Sequence, residues 1–582
     1  MKQYKKYVIP YKSAFILGPI FMIVEVLGEI ILPKLMSMII NYGCGQDVTV
    51  AAKGPAYIIG IGAAMIGTAL LMMMGGVLGA YFAVKASVNF AGDLRRDVFA
   101  KVQKFSFANI EKFSTGSLVT RLTNDITNIQ NVLSMGLRML LRAPGMLIGG
   151  LIMAFLMNAK LALVFCVVIP VLIIALAFVM KTAFPRFDVM QTKIDGLNSR
   201  IQENITNQRV VKSFVRDDFE KETFDRANNE LKDKTLRAMK VVILTMPIMT
   251  LAMNLTVMAV VWFGGQQILI GDMPVGNLTA FTTYVTQILM SLMMVSMIMI
   301  QGSRAMASSH RILEVLDTDI DLNDDNASEK DRLVTSGEIE FKNVCFRYYK
   351  KHKKNVLQNI NFTAKPGEVV GIIGSTGSGK SSLVQLIPRL YDCDEGEVLV
   401  DGVNVKEYSL NHLRDGVAMV LQKNTLFSGS LIDNLRWGNE NATLDEIKEA
   451  CQIACVDEFV DRLADGYDTE MGQEGVNVSG GQKQRICIAR AILKKPKVLI
   501  LDDSTSAVDT ATEAKIRSGL AEKLPDMTKI IIAQRISSVR HADQIIIMDR
   551  GHVEAIGTHE SLLRDNQIYQ EIYASQKEGA DL

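Results

Sequence analysis

The feature that most constrains this chain is a series of long apolar windows in its first half. Two of them, Ala56–Val84 and Val241–Gly271, contain no charged residue. A helix needs about 20 apolar residues to cross a hydrocarbon core of roughly 30 Å, and long helices of soluble proteins keep a polar face. The sequence therefore predicts six membrane spans. The windows are Ala14–Leu32, Ala56–Val84, Ala143–Ala159, Leu161–Met180, Val241–Gly271 and Met273–Ser303.

The charges between these windows predict the orientation. Lys85–Arg142 holds nine basic and four acidic residues, and Lys181–Lys240 holds thirteen basic and ten acidic ones. Because basic loops stay on the cytoplasmic side, we expect a multi-pass protein of the inner or plasma membrane with both termini in the cytoplasm. Helical periodicity in these loops predicts that the spans continue as cytoplasmic helices. These helices would turn near Ser114–Arg121 and Val210–Phe219.

The composition changes after the sixth window. Asp317–Arg332 is acidic and polar, as is typical of a linker, and from Gly337 onward short β-rich runs alternate with helical patterns. We therefore predict an all-α six-helix transmembrane domain over 1–316, a linker over 317–336 and an α/β domain over 337–582. The formal net charge of +1 gives no reason to expect nucleic acid as a partner.

The predicted domain over 337–582 contains a candidate phosphate-binding loop. The apolar run Glu368–Ile373 leads into G-x-x-x-x-G-K-S and then into a helix from Ser382. Backbone N–H groups of such a loop surround a phosphate, and the helix N-terminus adds partial positive charge. Lys380 would reach the β- and γ-phosphates, and Ser381 would bind Mg²⁺. The domain over 337–582 is therefore predicted to be an α/β P-loop nucleotide-binding domain. Its predicted nucleotide-binding residues in this loop are Gly374, Ser375, Thr376, Gly377, Ser378, Gly379, Lys380, Ser381 and Ser382.

A second apolar run, Val498–Leu501, ends in Asp502 and Asp503. An acidic residue at the end of a buried strand beside the phosphate loop is where Mg²⁺ is held, so Asp502 is a candidate metal ligand. The run follows Val478–Gln482 and a predicted helix over Lys483–Leu493, and this combination makes the signal specific.

Over its whole length the sequence resembles the ATP-binding cassette (ABC) family, in particular an exporter half-transporter. The resemblance implies that Tyr348 stacks on adenine and that Gln422 senses Mg²⁺ and the γ-phosphate. It also implies that two nucleotide domains meet head to tail around ATP. The signature residues of one subunit would then contact the ATP held by the other. These are Ser479, Gly480, Gly481 and Gln482.

Two positions depart from the family pattern. The family has Glu directly after the Asp of the second strand and His in an Ala-His-Arg context, whereas this chain has Asp503 and Gln534. Asp withdraws its carboxylate by about 1.5 Å, and a misplacement on the order of 1 Å can cost about 100-fold in rate. Gln534 can donate a hydrogen bond but cannot titrate. Both changes weaken hydrolysis and leave nucleotide binding intact.

This pattern favours an ATP-hydrolysing exporter that pairs with a second ABC half-transporter. In such a heterodimer this chain supplies a degenerate, weakly catalytic site with Asp503, Gln534 and Gln422 around it. Its ligands for Mg²⁺ would be Ser381, Gln422 and Asp502. Two alternatives stay open: a homodimeric exporter with slow hydrolysis, and a regulatory membrane subunit gated by nucleotide.

The cargo is less constrained by the sequence. Glu25 and Glu29 lie four residues apart in the first window, and acidic residues inside a membrane are expensive. They could attract a cationic substrate, line a wet cavity or pair with a Lys or Arg. The methionine-rich sixth window suits a promiscuous apolar surface, so we expect a small amphipathic or drug-like substrate.

Overall fold

The computed structural model describes residues 2–45, 53–325, 327–348 and 354–578. It separates into two compact units. The first comprises Met1–Val102 and Gly116–Asp317, and the second comprises Gln103–Thr115 and Thr318–Leu582. The segment Gln103–Thr115, which the sequence analysis assigned to the membrane part, thus groups with the C-terminal unit.

The first unit is helical, and among its described residues six helices are long and apolar enough to cross a membrane. This confirms the predicted span count. In chain order, spans 1 to 6 are Lys5–Gly43, Pro55–Gln103, Thr115–Met157, Ala159–Thr206, Asp217–Leu269 and Val275–Val295. Span 3 contains the helices Thr115–Thr120, Ile126–Met139 and Arg142–Met157, and the helix of span 6 continues to Asp317.

Small and aromatic side chains join these helices. Gly18 and Gly79 bring spans 1 and 2 together, because a Cβ on Gly79 would stand 2.5 Å from Met22 Sδ. Phe165 and Phe281 stack at 5.6 Å between spans 4 and 6. Large apolar side chains such as Leu156 cover the outer faces and are exposed. An apolar exterior of this kind suits contact with lipid.

Spans 2 and 3, and spans 4 and 5, are joined by turns that contain short helices. In the first turn, Ser106 caps the helix Phe107–Lys112 by accepting a bond from the Asn109 backbone N–H. The turn therefore begins earlier than the predicted Ser114–Arg121, because this capping box starts a helix that the periodicity did not reveal. The second turn holds the helix Gln208–Ser213, close to the predicted position.

The described residues of the second unit form three sheets. Its strands β1 to β12 are Ile339–Phe346, Leu357–Ala364, Val369–Gly374, Glu395–Val400, Val403–Asn404, Val417–Val420, Gly429–Ser430, Glu470–Met471, Val498–Asp502, Thr528–Ile532, Gln544–Asp549 and His552–Gly557. A four-stranded antiparallel sheet has the order β2-β1-β4-β5, and β7 pairs with β8.

The six-stranded sheet positions the candidate site. Its order is β12-β11-β3-β10-β9-β6, and only β12 is antiparallel to its neighbour. Strand β3 lies between β10 and β11 and is buried along most of its length. The carboxyl ends of parallel strands meet at one edge of a sheet, where ligands bind in open α/β folds. The segments after β3, β6, β9 and β10 therefore converge there.

Helices cover this sheet and complete an α/β fold, as predicted. The helices of the second unit are Phe107–Lys112, Lys380–Gln385, Leu410–Gly416, Leu431–Arg436, Leu444–Ile453, Asp457–Val460, Gly480–Leu493, Thr510–Lys523, Ile536–Val539, His559–Asp565 and Gln567–Glu578.

Candidate functional site

The loop after β3 takes a conformation that glycine permits. Gly377 and Gly379 have φ angles of +82° and +99°, which side-chain-bearing residues rarely adopt. A Cβ on Gly379 would also stand 2.8 Å from Leu357 Cδ2. The helix Lys380–Gln385 begins directly afterwards. Backbone N–H groups are thus gathered at the start of a helix, as a phosphate requires.

Lys380 folds back over this loop. Its Nζ donates to the carbonyl oxygens of Gly374 at 2.9 Å and Ser375 at 2.8 Å. Burial lowers the pKa of Lys380, and the nearby Asp503 and Asp502 oppose that shift. The Lys380 ammonium is thus held by two neutral carbonyl oxygens. A phosphate group can take their place, because it accepts a stronger, charge-assisted hydrogen bond.

Ser381 and Asp502 form the oxygen-rich part of the site. Ser381 Oγ donates to Asp502 Oδ1 at 2.9 Å, and Asp502 is only 2 % exposed at the end of β9. Burial raises the pKa of Asp502. A hydroxyl, a carboxylate and the Gln422 amide in one cleft are the hard oxygen ligands that Mg²⁺ prefers. These residues therefore fit the metal.

The two positions that depart from the family pattern contact each other. Gln534 Nε2, just after β10, donates to Asp503 Oδ2 at 2.8 Å. Burial raises the pKa of Asp503, while the hydrogen bonds from Gln534 and Gln422 act against that shift. Asp503 has a φ of +48°, an uncommon conformation for a residue with a side chain. The carboxylate is thus held by two neutral amides.

These groups line a cleft of about 300 Å³. The cleft is lined by Val356, Thr376, Gly377, Gly379, Lys380, Ser381, Ser382, Gln422, Asp502, Asp503, Ile532 and Gln534. Ten of these residues were predicted from the sequence. Three other predicted residues, Gly374, Ser375 and Ser378, belong to the same loop but are not among those that line the cleft. Val356 and Ile532 were missed, because apolar residues carry no chemical motif.

Tyr348 stands beside the cleft. Its hydroxyl lies 2.8 Å from Ser382 Oγ and donates to Gln385 Oε1 at 3.4 Å. Its ring meets Phe346 and Tyr391 edge-on, at 4.9 Å and 5.1 Å between centroids. Burial raises the pKa of Tyr348. An aromatic ring is therefore fixed next to the phosphate loop.

Tyr391 is a neighbour of the site that the sequence analysis missed. Its hydroxyl donates to Glu111 Oε1 at 3.1 Å, and its ring meets that of Phe107 at 6.1 Å. It thereby connects Tyr348 with the short helix Phe107–Lys112, within the same unit. No motif or periodicity marks Tyr391, since it acts through packing.

The predicted signature residues begin the helix Gly480–Leu493 and do not line the cleft. Ser479 caps this helix, with its Oγ accepting from the Gln482 backbone N–H at 3.3 Å. A Cβ on Gly481 would stand 2.7 Å from the Ala507 carbonyl oxygen. Ser479 and Gly480 are exposed, whereas Gly481 and Gln482 are half-buried. The helix start thus presents backbone and hydroxyl donors at the surface.

Comparisons with known proteins agree with this architecture. Residues 15–292 match the family model "ABC transporter transmembrane region", and residues 357–506 match "ABC transporter". The chain is 40% identical to the uncharacterized ABC transporter ATP-binding protein YfiB of Bacillus subtilis, over 98% of both chains. It is 34% identical to the ATP-dependent lipid A-core flippase of Pseudomonas aeruginosa, over 86% of this chain and 82% of that protein.

Among solved structures, a bacterial Atm1-family ABC exporter with ATP bound has a similar fold. The TM-score is 0.78 at 24% sequence identity, and the similarity covers 98% of each chain.

Proposed function

Because the chain belongs to the ABC transporter family, we propose that it is the degenerate-site half of a heterodimeric exporter. Proteins of this family act as dimers in a membrane and couple ATP hydrolysis to transport. In this heterodimer, the chain would bind Mg·ATP firmly and cleave it slowly. Rapid turnover would depend on the second half-transporter.

The contact between Gln534 and Asp503 carries this proposal. A general base must reach the water that attacks the γ-phosphate, yet Asp503 is short and its Oδ2 already accepts a bond from Gln534. The neutral amide of Gln534 cannot exchange a proton or supply a positive charge. It therefore cannot replace the titratable His that the family has at this position. Two substitutions at touching positions weaken one step, which favours specialisation over independent drift.

The binding half of the site supports firm nucleotide binding. Lys380 and the backbone of the phosphate loop would hold the phosphates, and Tyr348 would stack on adenine. Ser381, Asp502 and Gln422 would hold Mg²⁺, which supplies charge neutralisation at the β- and γ-phosphates. None of these groups is altered relative to the family pattern.

The signature residues Ser479–Gln482 do not line this chain's own cleft, and two of them are exposed at a helix start. In the proposed heterodimer they complete the site of the partner, where they would donate hydrogen bonds to the γ-phosphate only in the closed pair. ATP binding would thus draw the two subunits together, and hydrolysis at the partner's site would release them.

Basic cytoplasmic loops support a position in the inner or plasma membrane with both termini inside. Spans that are apolar on their outer faces, together with a methionine-rich sixth span, support a small amphipathic or drug-like cargo.

Purification of the tagged chain from its native membranes tests the pairing. We expect a second half-transporter to co-purify and the pair to hydrolyse ATP at least about ten times faster than the chain expressed alone, given the weak base of its own site. Equal ATP binding by both preparations is the control. Brisk hydrolysis by the chain alone would favour the homodimeric exporter. ATP-dependent dye accumulation in inside-out vesicles distinguishes export from a purely regulatory role.

A further inference from the structure

An ion cluster lies between spans 1 and 3 of the first unit. Arg142 Nη1 is 3.0 Å from Glu25 Oε1, and Arg142 Nη2 is 2.6 Å from Glu29 Oε1. The two glutamate side chains are only 15% and 19% exposed. The glutamates therefore have a basic partner, which was one of the alternatives that the sequence left open.

The charges in this cluster do not balance. Two carboxylates share one guanidinium, and each carboxylate uses only its Oε1 for that contact. Glu25 Oε2 and Glu29 Oε2 are buried and accept no hydrogen bond from the protein. With both carboxylates ionised, one negative charge is left uncompensated. Buried acceptors and charges without partners cost several kcal/mol.

Span 6 adds a third acceptor. Gln287 Nε2 donates to the backbone carbonyl oxygen of Glu29 at 3.1 Å, which fixes the amide beside the cluster. Gln287 Oε1 is buried and likewise has no protein donor. One donor, Arg142 Nε, is buried without a protein acceptor. The cluster thus offers three acceptors and one donor for further hydrogen bonds.

Span 2 leaves room for the Glu25 carboxylate. A Cβ on Gly76 would stand 3.3 Å from Glu25 Cδ and 3.4 Å from both of its oxygens. A Cβ on the neighbouring Gly75 would stand 2.9 Å from the Phe21 carbonyl oxygen. The two glycines let span 2 pack directly against the carboxylate of Glu25, so four spans meet around this group.

We propose that Glu25, Glu29, Gln287 and Arg142 form a binding site for one organic ammonium group. An ammonium carries one positive charge and three N–H donors, which match the uncompensated charge and the three free acceptors. This inference rests on the proposed exporter function and narrows its cargo to amphiphiles with one primary amine.

The test compares dansylcadaverine, which has a primary amine, with its N-acetylated derivative, which lacks the charge. Fluorescence titrations use the full-length transporter in lipid nanodiscs without nucleotide. We expect the amine to bind at least about tenfold more tightly than the neutral derivative, because a buried charged hydrogen bond is worth more than 1.4 kcal/mol. Glu29→Gln should reduce this preference to less than about twofold. Asp272→Asn is the matched control, because Asp272 is an exposed acid paired with Lys160, and it should leave the preference unchanged.

A second variant covers the case in which Glu29→Gln fails to fold. Gly76→Ala keeps every charge but places a methyl group against the Glu25 carboxylate, so it should weaken amine binding and spare the neutral derivative. ATP binding verifies that the second unit of each variant is folded, and unchanged affinity for the neutral derivative verifies the first unit.

Equal affinity for the two compounds in the native protein would overturn the proposal, as would an unchanged amine preference in both variants. Proton uptake that depends on Glu29, without any preference for the amine, would show that a proton from solvent balances the excess negative charge. This result would also overturn the proposal. The exporter function is tested separately: ATP-dependent transport of neutral compounds without amine preference refutes only the ammonium site. Absence of ATP-dependent transport for every compound refutes the exporter.

Discussion

The phosphate loop and the Asp503–Gln534 pair lie in one cleft, yet they differ in how closely they follow the family pattern. The loop keeps every residue that binding requires, and Lys380, Ser381 and Asp502 are arranged around it. The pair has lost the longer carboxylate and the titratable ring, and its two members bond to each other. We therefore expect binding and cleavage to be separable functions of this cleft, and each can be tested alone.

The largest effect on ATP turnover is expected at the signature residues, which in the proposed heterodimer complete the ATP site of the partner. Ser479→Ala should reduce ATP turnover of the assembled pair by about 100-fold, because a donor to the transition-state phosphate is worth roughly 3 kcal/mol. Nucleotide binding by the isolated chain should stay within about twofold of the native value, since Ser479 does not line that cleft.

Ser409→Ala is the matched control for this variant. Ser409 caps the helix Leu410–Gly416 by accepting from the His412 backbone N–H at 3.3 Å, the same distance as in the Ser479 cap. Both variants lose about 1 kcal/mol of capping, so equal loss of turnover in the two would contradict a role of Ser479 in hydrolysis.

A gain of function should follow from restoring the family pattern. Asp503→Glu combined with Gln534→His should raise ATP turnover of the isolated chain at least about tenfold, because the carboxylate regains its reach and the ring can titrate. Steady-state phosphate release measures the gain. Asp503→Glu alone should give a smaller increase. If the double variant binds ATP normally but turns over no faster, the two positions are not what limits hydrolysis.

Removal of the short carboxylate should matter much less. Asp503→Ala is expected to change turnover of the assembled pair only about two- to fivefold, because the partner's site would perform most of the hydrolysis. Substitution of the acid at the matching position in the partner should abolish turnover. Complete inactivity of the Asp503→Ala pair, with assembly intact, would show that this cleft is catalytic.

The smallest effect is expected from the conservative change of Tyr348 to Phe. Tyr348→Phe keeps the ring and removes only the hydroxyl, with its contacts to Ser382 and Gln385, so ATP affinity should change by less than about fivefold, the equivalent of roughly 1 kcal/mol. Tyr348→Ala removes the ring and should weaken binding further, by about 1–3 kcal/mol. Equal affinities of these two variants for ATP would argue against adenine stacking.

The sequence predicted much of this architecture because its strongest signals are local. The number of spans follows from runs of apolar residues, and the phosphate loop follows from glycine spacing between a strand and a helix. Lys380, Ser381 and Asp502 were predicted for the same reason, because each belongs to a strand end or loop with a local motif. The roles of Gln422, Asp503 and Gln534 were predicted from the family resemblance instead.

Contacts between distant segments could not be predicted in this way. The bond between Gln534 and Asp503 depends on the parallel pairing of β10 with β9. The position of Tyr391 against Glu111 depends on packing across 280 residues of sequence. The choice of Arg142 as partner of Glu25 and Glu29 depends on how spans 1 and 3 pack, which hydropathy does not encode. The start of the turn between spans 2 and 3 was misplaced because the capping box at Ser106 starts a helix that the periodicity does not reveal.

The most direct test of the central claim is the chemical state of nucleotide bound to the isolated chain. The purified protein is mixed with Mg²⁺ and labelled ATP, separated from free nucleotide and quenched with acid after increasing times. We predict that the label remains mainly ATP over many minutes, because the cleft holds the triphosphate and lacks an effective base. Conversion of the bound label to ADP within seconds would contradict the account.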